Sequence, residues 1–133
     1  WHCRDLELFN QLGILNGEVI KQKYDQRVMD KQALLNSLHR DNYLPPHYEG
    51  DALSMAMHDY LNRMIHYYLA ESNSRLIGVQ LENLLSQEIS FNLPATSNEY
   101  PNWCKKLAQP LAFIFSNEAL KTFFVQINQG RNV

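Results

Sequence analysis

Apolar residues recur at helical spacing in two long segments of the chain. The first segment begins at Glu18 and places apolar side chains on one helical face, with polar ones opposite, until Leu44-Pro45-Pro46 ends it. A break near residues 25–27 is left open. In the second segment, Asp51 is the expected N-cap. The apolar residues that follow it at i, i+3, i+4, i+7 are Leu53, Ala56, Met57, Tyr60, Leu61, Met64, Ile65 and Tyr68.

The remaining segments are shorter and more varied. Arg75–Leu81 is rich in apolar and β-branched residues and lies between turn formers, so it is the best candidate for a strand. Residues 81–85 are expected to form at most one helical turn, and residues 90–100 have the composition of a loop. Two further helices are predicted, one over 103–115 and one over 117–129. A single strand needs hydrogen-bonding partners, which favours its being the last strand of a barrel whose other strands lie elsewhere.

Composition excludes several classes of protein. The chain has 133 residues and a formal net charge of −2, with no dominant basic segment, so a nucleic-acid partner is not expected. It has no run of about 18 apolar residues, so a membrane partner is not expected either. The first residue is Trp1 rather than Met, within a segment that reads as ordered. We therefore expect the chain to be a piece of a longer protein.

Residue types and spacing do not by themselves identify a catalytic centre. Cys3 and Cys104 are far apart and lack metal-type spacing, which favours reduced thiols in a cytoplasmic protein, although their pairing stays open. The five histidines form no metal-binding motif, and there is neither a glycine-rich phosphate loop nor a nucleophile elbow. No metal or cofactor is expected. From the residues alone, the prediction is a mainly helical cytoplasmic domain.

A longer motif identifies a family. The run Phe91-Asn92-Leu93-Pro94-Ala95-Thr96, followed by Tyr100-Pro101-Asn102-Trp103, resembles the Asn-x-Pro-Gly-Thr … Asn-Trp signature of amylomaltases, the 4-α-glucanotransferases of glycoside hydrolase family 77. Further similarity covers essentially the whole chain in order, at Trp1–Leu6, Lys31–Leu35, His39, Leu44-Pro45, Leu61–Arg63, Ala70–Ser74 and Leu76–Gln80.

The resemblance implies the C-terminal portion of a (β/α)8 barrel that transfers α-1,4-glucan segments between maltodextrins with retention. Such chemistry needs two carboxyl groups about 5 Å apart. In the family these carboxylates, and a third in a Thr-His-Asp motif, lie upstream of the region that this chain matches. The resemblance thus assigns no catalytic residue here, and we expect the chain alone to be inactive. A barrel needs about 250 residues, so residues 1–133 would form one C-terminal part: helices over 1–72, the last strand at 75–81, the loop at 90–102 and closing helices over 103–129.

The resemblance also implies which residues contact substrate. Asn92 would face the glucan with its amide, and Pro94 would make the loop rigid. Asn102 and Trp103 would anchor the segment that follows. The chain departs from the family pattern at Ala95, where the family has glycine, and at Cys104, where relatives often have arginine.

Two other functions remain as alternatives: a helical interaction domain without enzymatic activity, and a maltodextrin-binding module. Apolar residues that would meet the missing barrel strands, such as Leu76, Ile77 and Val79, should seek other cover. We therefore expect a homodimer or higher oligomer of the isolated chain.

Overall fold

A computed structural model describes residues 1–2, 4–48 and 50–131, and these residues form six α-helices. The helices are α1 (Arg4–Gln11), α2 (Gly17–Arg40), α3 (Asp59–Ala70), α4 (Leu81–Leu84), α5 (Leu111–Ser116) and α6 (Glu118–Gly130). The described residues group into two compact units. Unit 1 takes those of Trp1–Ser37, Glu49–Ala56 and Glu88–Lys106, and unit 2 takes those of Leu38–Tyr48, Met57–Gln87 and Leu107–Val133.

The prediction of a mainly helical chain is confirmed, but the expected strand over 75–81 is not formed. Among the described residues there is no strand, and residues 75–80 have neither helical nor sheet structure. A strand needs a neighbour to pair with its backbone groups, and none is present in the described part of the chain. Ile77 and Val79 instead pack against a buried cluster, while Leu76 is 88% exposed.

Helix α2 is continuous, so the break considered near residues 25–27 does not occur. Gln26 Nε2 donates to Asp30 Oδ1 at 2.8 Å, an i,i+4 contact that supports the helix at this point. The helix ends at Arg40, ahead of the prolines. Asn42 has φ +62°, and the Tyr43 N–H donates to the Leu38 carbonyl at 2.8 Å, which is the left-handed ending usual for helices.

Helix α3 starts later than predicted, and Asp51 is not its N-cap. The Asp51 carboxylate accepts hydrogen bonds from the Leu53 and Ser54 N–H groups at 2.9 and 2.8 Å, but it caps only a local turn. The cap of α3 is His58, whose Nδ1 accepts from the Leu61 N–H. The turn belongs to unit 1 and α3 to unit 2. The apolar residues from Leu53 to Tyr68 repeat with a single helical period, but they belong to two different compact units.

The C-terminal helices are partly as predicted. Helix α5 begins at Leu111 rather than near residue 103, because Pro110 lacks an N–H and disfavours helical backbone in the residue before it. Helix α6 agrees with the prediction within one residue. Asn117 caps it by accepting from the Ala119 and Leu120 N–H groups at 2.9 and 3.2 Å. The predicted helical turn over 81–85 is α4.

Each unit has its own buried residues. In unit 2, helices α3 and α6 pack together around Ala70, Phe123 and Ile127, with Tyr67, Ile77, Val79, Leu84 and Phe124 against this cluster. In unit 1 the buried apolar residues include Leu6, Leu35 and Leu93. Within the described ranges, no helix is long and apolar enough to cross a membrane.

Candidate functional site

The loop that carries the family motif, residues 90–104, is held together by the side chain of Asn102. Its Oδ1 accepts a hydrogen bond from the Leu93 N–H at 2.7 Å. Its Nδ2 donates to the carbonyl and to the Oγ1 of Thr96, at 3.2 and 2.9 Å. Because one carboxamide supplies both an acceptor and donors, Asn102 links two points of the loop that precedes it.

Three more hydrogen bonds close the same loop. Thr96 Oγ1 donates to the Leu93 carbonyl at 2.6 Å, and the Trp103 N–H donates to the Phe91 carbonyl at 2.7 Å. The Tyr100 hydroxyl donates to the Ser90 carbonyl at 2.5 Å. The loop has no helix or strand, yet several of its backbone groups find partners within it.

The two predicted substrate-binding residues lie on either side of a buried anchor. Leu93 is 1% exposed, whereas its neighbours Asn92 and Pro94 are both exposed. This alternation leaves the Asn92 carboxamide accessible, with a donor and an acceptor that match the hydroxyl groups of a sugar. The structure thus brings Asn92 and Pro94 together on one short segment.

The two departures from the family pattern have different structural settings. Ala95 has φ +63°, a conformation that glycine adopts without strain and alanine does not. Cys104 is exposed, and its Sγ donates to the Asn102 carbonyl at 3.3 Å. Cys3 lies outside the described residues, so its pairing with Cys104 stays untested.

Trp103 anchors the loop through its backbone and not through its ring. The Trp103 N–H donates to the Phe91 carbonyl, and the backbone of Trp103 has φ +60°. The residue is 74% exposed, so its ring makes little contact with the loop. Asn102 and Trp103 were expected to anchor the segment that follows them, but their hydrogen bonds hold residues before them, 91–96.

A pocket of about 340 Å³ in unit 1 was not predicted from the sequence. Its lining combines one face of α1 with the start of the loop: Arg4, Glu7, Leu8, Gln11, Glu88, Ile89, Ser90 and Tyr100. Arg4 Nε and Nη2 donate to Glu88 Oε2 at 3.2 and 2.9 Å, and His2 Nε2 lies 3.7 Å from Glu88 Oε1. These partners hold the pKa of Glu88 below its usual range. No sequence signal pairs Arg4 with Glu88, since 84 residues separate them.

Two other titratable side chains in the described residues, Glu99 and His66, have local structural roles. The pKa of Glu99 is lowered because its carboxylate accepts from the Ser97 N–H at 2.8 Å. His66 is buried, and its Nδ1 lies 2.8 Å from the Asn62 carbonyl. Among residues 1–2, 4–48 and 50–131, no group of three or more histidine, cysteine, aspartate or glutamate side chains is placed to hold a metal ion.

Comparison with known proteins agrees with the motif. The family model described as 4-alpha-glucanotransferase, glycoside hydrolase family 77, matches residues 8–111, and the chain belongs to this family. A 4-alpha-glucanotransferase from Haemophilus influenzae is 98% identical over all 133 residues. The chain spans 19% of the length of that relative. The resemblance inferred from the loop motif is therefore confirmed, and the chain corresponds to a fragment of a larger enzyme.

Proposed function

We propose that this chain is the C-terminal part of an enzyme that transfers α-1,4-glucan segments between maltodextrins with retention. The observation that carries the proposal is the 98% identity with a 4-alpha-glucanotransferase over the full chain. At that identity, nearly every buried contact and loop residue has the same chemistry in both proteins. The glucan substrate and a cytoplasmic location belong to the same proposal.

In the larger enzyme, residues 75–81 would form the last strand of a (β/α)8 barrel. Adjacent strands would supply the strand pairing that the segment lacks within the described residues. The loop at 90–102 would then follow the carboxyl end of that strand, where barrel enzymes keep their active-site residues. The two catalytic carboxylates that retention needs, about 5 Å apart, would come from other parts of the longer protein.

Asn92 and Pro94 would contact the glucan. Asn92 would hydrogen-bond a sugar hydroxyl, and Pro94 would restrict the backbone beside it. Their exposure on both sides of the buried Leu93 supports this role, because both can reach a ligand without disturbing the anchor.

Activity measurements test the proposal at the level of the whole enzyme. The Haemophilus influenzae relative, carrying these 133 residues in place of its own, is incubated with maltotriose, and the products are separated by chromatography. We expect glucose and longer maltodextrins from this protein and none from the isolated chain. An intact full-length protein that forms no such products would refute the proposal. Turnover by the isolated chain would refute the assignment of the catalytic carboxylates to other regions.

The substrate contact of Asn92 needs its own comparison. In the same full-length protein, Asn92→Ala should raise the KM for maltotriose roughly three- to tenfold, the cost of one or two neutral hydrogen bonds. Asn98→Ala is the matched control, since Asn98 is an exposed asparagine of the same loop. Equal KM values for the two variants would remove Asn92 from the substrate site.

A further inference from the structure

We propose that Asn102 is a positioning residue for substrate binding, acting through Asn92. The proposal rests on the proposed glucanotransferase function and concerns the same loop. Asn102 does not need to touch the glucan. Its carboxamide fixes the backbone that presents the Asn92 side chain, so its loss should weaken substrate binding in the same way as loss of Asn92.

Hydrogen bonds hold both of the peptide groups that flank Asn92. The carbonyl of Phe91 belongs to the peptide before Asn92 and accepts from the Trp103 N–H at 2.7 Å. The N–H of Leu93 belongs to the peptide after Asn92 and donates to Asn102 Oδ1 at 2.7 Å. Because both peptide planes are held, the backbone dihedrals of Asn92 are set by the adjacent residues 102 and 103.

The same side chain reaches the peptide that leads into Pro94. The Leu93 carbonyl accepts from Thr96 Oγ1 at 2.6 Å, and Thr96 Oγ1 in turn accepts from Asn102 Nδ2 at 2.9 Å. Leu93 is thus held at its N–H, at its carbonyl and by burial of its side chain. Asn92 and Pro94 extend to the surface from this fixed residue.

The carboxamide of Asn102 satisfies all of these contacts, whereas aspartate and alanine would not. Aspartate would keep the acceptor for the Leu93 N–H but would lose the donors to Thr96. Alanine would leave the Leu93 N–H and the Thr96 carbonyl without these partners in a partly buried loop, which costs more than the bonds contribute when present. Asn92 itself would still be present in both variants, although no longer fixed in orientation.

A double-mutant cycle in the full-length protein tests the proposal. The variants are Asn92→Ala, Asn102→Ala and the two combined, assayed for KM and kcat with maltotriose. We expect Asn102→Ala to raise KM roughly three- to tenfold with a smaller change in kcat, as Asn92→Ala does. The rise in KM of the double variant should be far smaller than the product of the two single effects, because Asn102 acts mainly through Asn92.

Substitutions at Thr96 provide the conservative comparison. Thr96→Ser keeps the hydroxyl that bonds both Asn102 and Leu93, and it should retain the KM of the unsubstituted protein. Thr96→Val removes that hydroxyl at nearly the same volume and should raise KM. If the effects of Asn92→Ala and Asn102→Ala instead multiply, or if Asn102→Ala lowers only thermal stability and kcat, the positioning role is wrong.

A measurement on the isolated chain separates this proposal from the proposed function. Amide hydrogen exchange at Leu93 should be faster in Asn102→Ala than in the unsubstituted chain and unchanged in Asn98→Ala. Were the full-length protein inactive on maltotriose, the glucanotransferase function would fail, and with it any role of Asn102 in glucan binding. Unchanged exchange at Leu93 in Asn102→Ala would overturn the positioning role even in an active enzyme.

Discussion

The imidazole of His66 on α3 lies edge-on to the phenyl ring of Phe123 on α6, with ring centroids 5.5 Å apart and an interplanar angle of 79°. Phe123 is fully buried, and Tyr67 and Phe124 contact the same ring. The Arg63 guanidinium lies 5.7 Å from its centroid. One aromatic side chain therefore organises the packing of α3 against α6.

Truncation of this ring should be costly. Phe123→Ala should lower the free energy of unfolding by about 3–5 kcal/mol, since it removes a fully buried ring and leaves a cavity. Urea unfolding followed by helical circular dichroism measures this change. Phe113→Ala on α5 is the matched control, because Phe113 is 56% exposed and should change the stability little. Similar losses in both variants would contradict the central role of Phe123.

The helices that the sequence predicts best are those with their own local signals. Helix α6 has a capping asparagine, Asn117, and buries apolar residues at helical spacing, so local chemistry and packing agree. Helix α3 has equally clear spacing, but the Asp51 signal holds only for one turn, and His58 is not a usual capping residue. The start of α5 follows from Pro110, whose effect outweighs the apolar residues before it.

The sequence motif predicts the family, but it does not predict the contacts between distant residues around the candidate site. Asn92 and Pro94 lie within three residues of each other, so a sequence motif can bring them together. The Asn102 side chain makes hydrogen bonds to the preceding residues Leu93 and Thr96. The spacing of these residues in the sequence does not predict those bonds. A strand over 75–81 needs a neighbouring strand, and the described residues supply none, so the apolar pattern of this segment does not produce one.

The left-handed conformation of Ala95 predicts a stabilising substitution. Ala95→Gly should raise the free energy of unfolding by about 1 kcal/mol, because glycine adopts φ +63° without the clash that a Cβ introduces. The same change at Ala112, within α5, should have the opposite sign, since glycine weakens helices by about 1 kcal/mol. Thermal unfolding of the two variants measures both. A loss of stability in Ala95→Gly would be inconsistent with strain at this position.

The ion pair between Asp5 and Arg27 predicts a dependence of stability on acid pH. Burial raises the pKa of Asp5, but the hydrogen bonds and charge of Arg27 outweigh it, and the pKa lies below its usual value. The Nη2–Oδ2 distance is 2.9 Å. A lowered pKa in the folded state gives stability that is present above about pH 4 and is lost as pH falls further. The pair is partly solvated, so its contribution should be below about 1 kcal/mol.

Denaturation at a series of pH values between 6 and 3 measures this effect. Asp5→Asn should reduce the loss of stability on acidification, whereas Asp25→Asn, at an exposed aspartate of α2, should leave it unchanged. A pH profile of Asp5→Asn that coincides with that of the unsubstituted chain would show that the pair does not contribute.

Exposed apolar side chains predict self-association of the isolated chain. Leu111, Phe113 and Phe115 on α5 are each more than half exposed, as is Leu76. Exposed apolar surface of this kind favours association. Light scattering at high micromolar concentration should give a mass above that of one chain, and Phe113→Ser combined with Phe115→Ser should reduce it. A single-chain mass at that concentration would contradict the expectation.

The two tryptophans have opposite surroundings. The Trp1 indole N–H donates to the Met55 carbonyl at 2.9 Å, and Lys31 Nζ lies 5.3 Å from the centre of its ring. The Trp103 indole is mostly in solvent, while its own amide closes the loop around Asn92. A soluble quencher such as acrylamide will therefore reach Trp103 first. The loop thus carries its own fluorophore, so a ligand that covers it can be followed optically without a label.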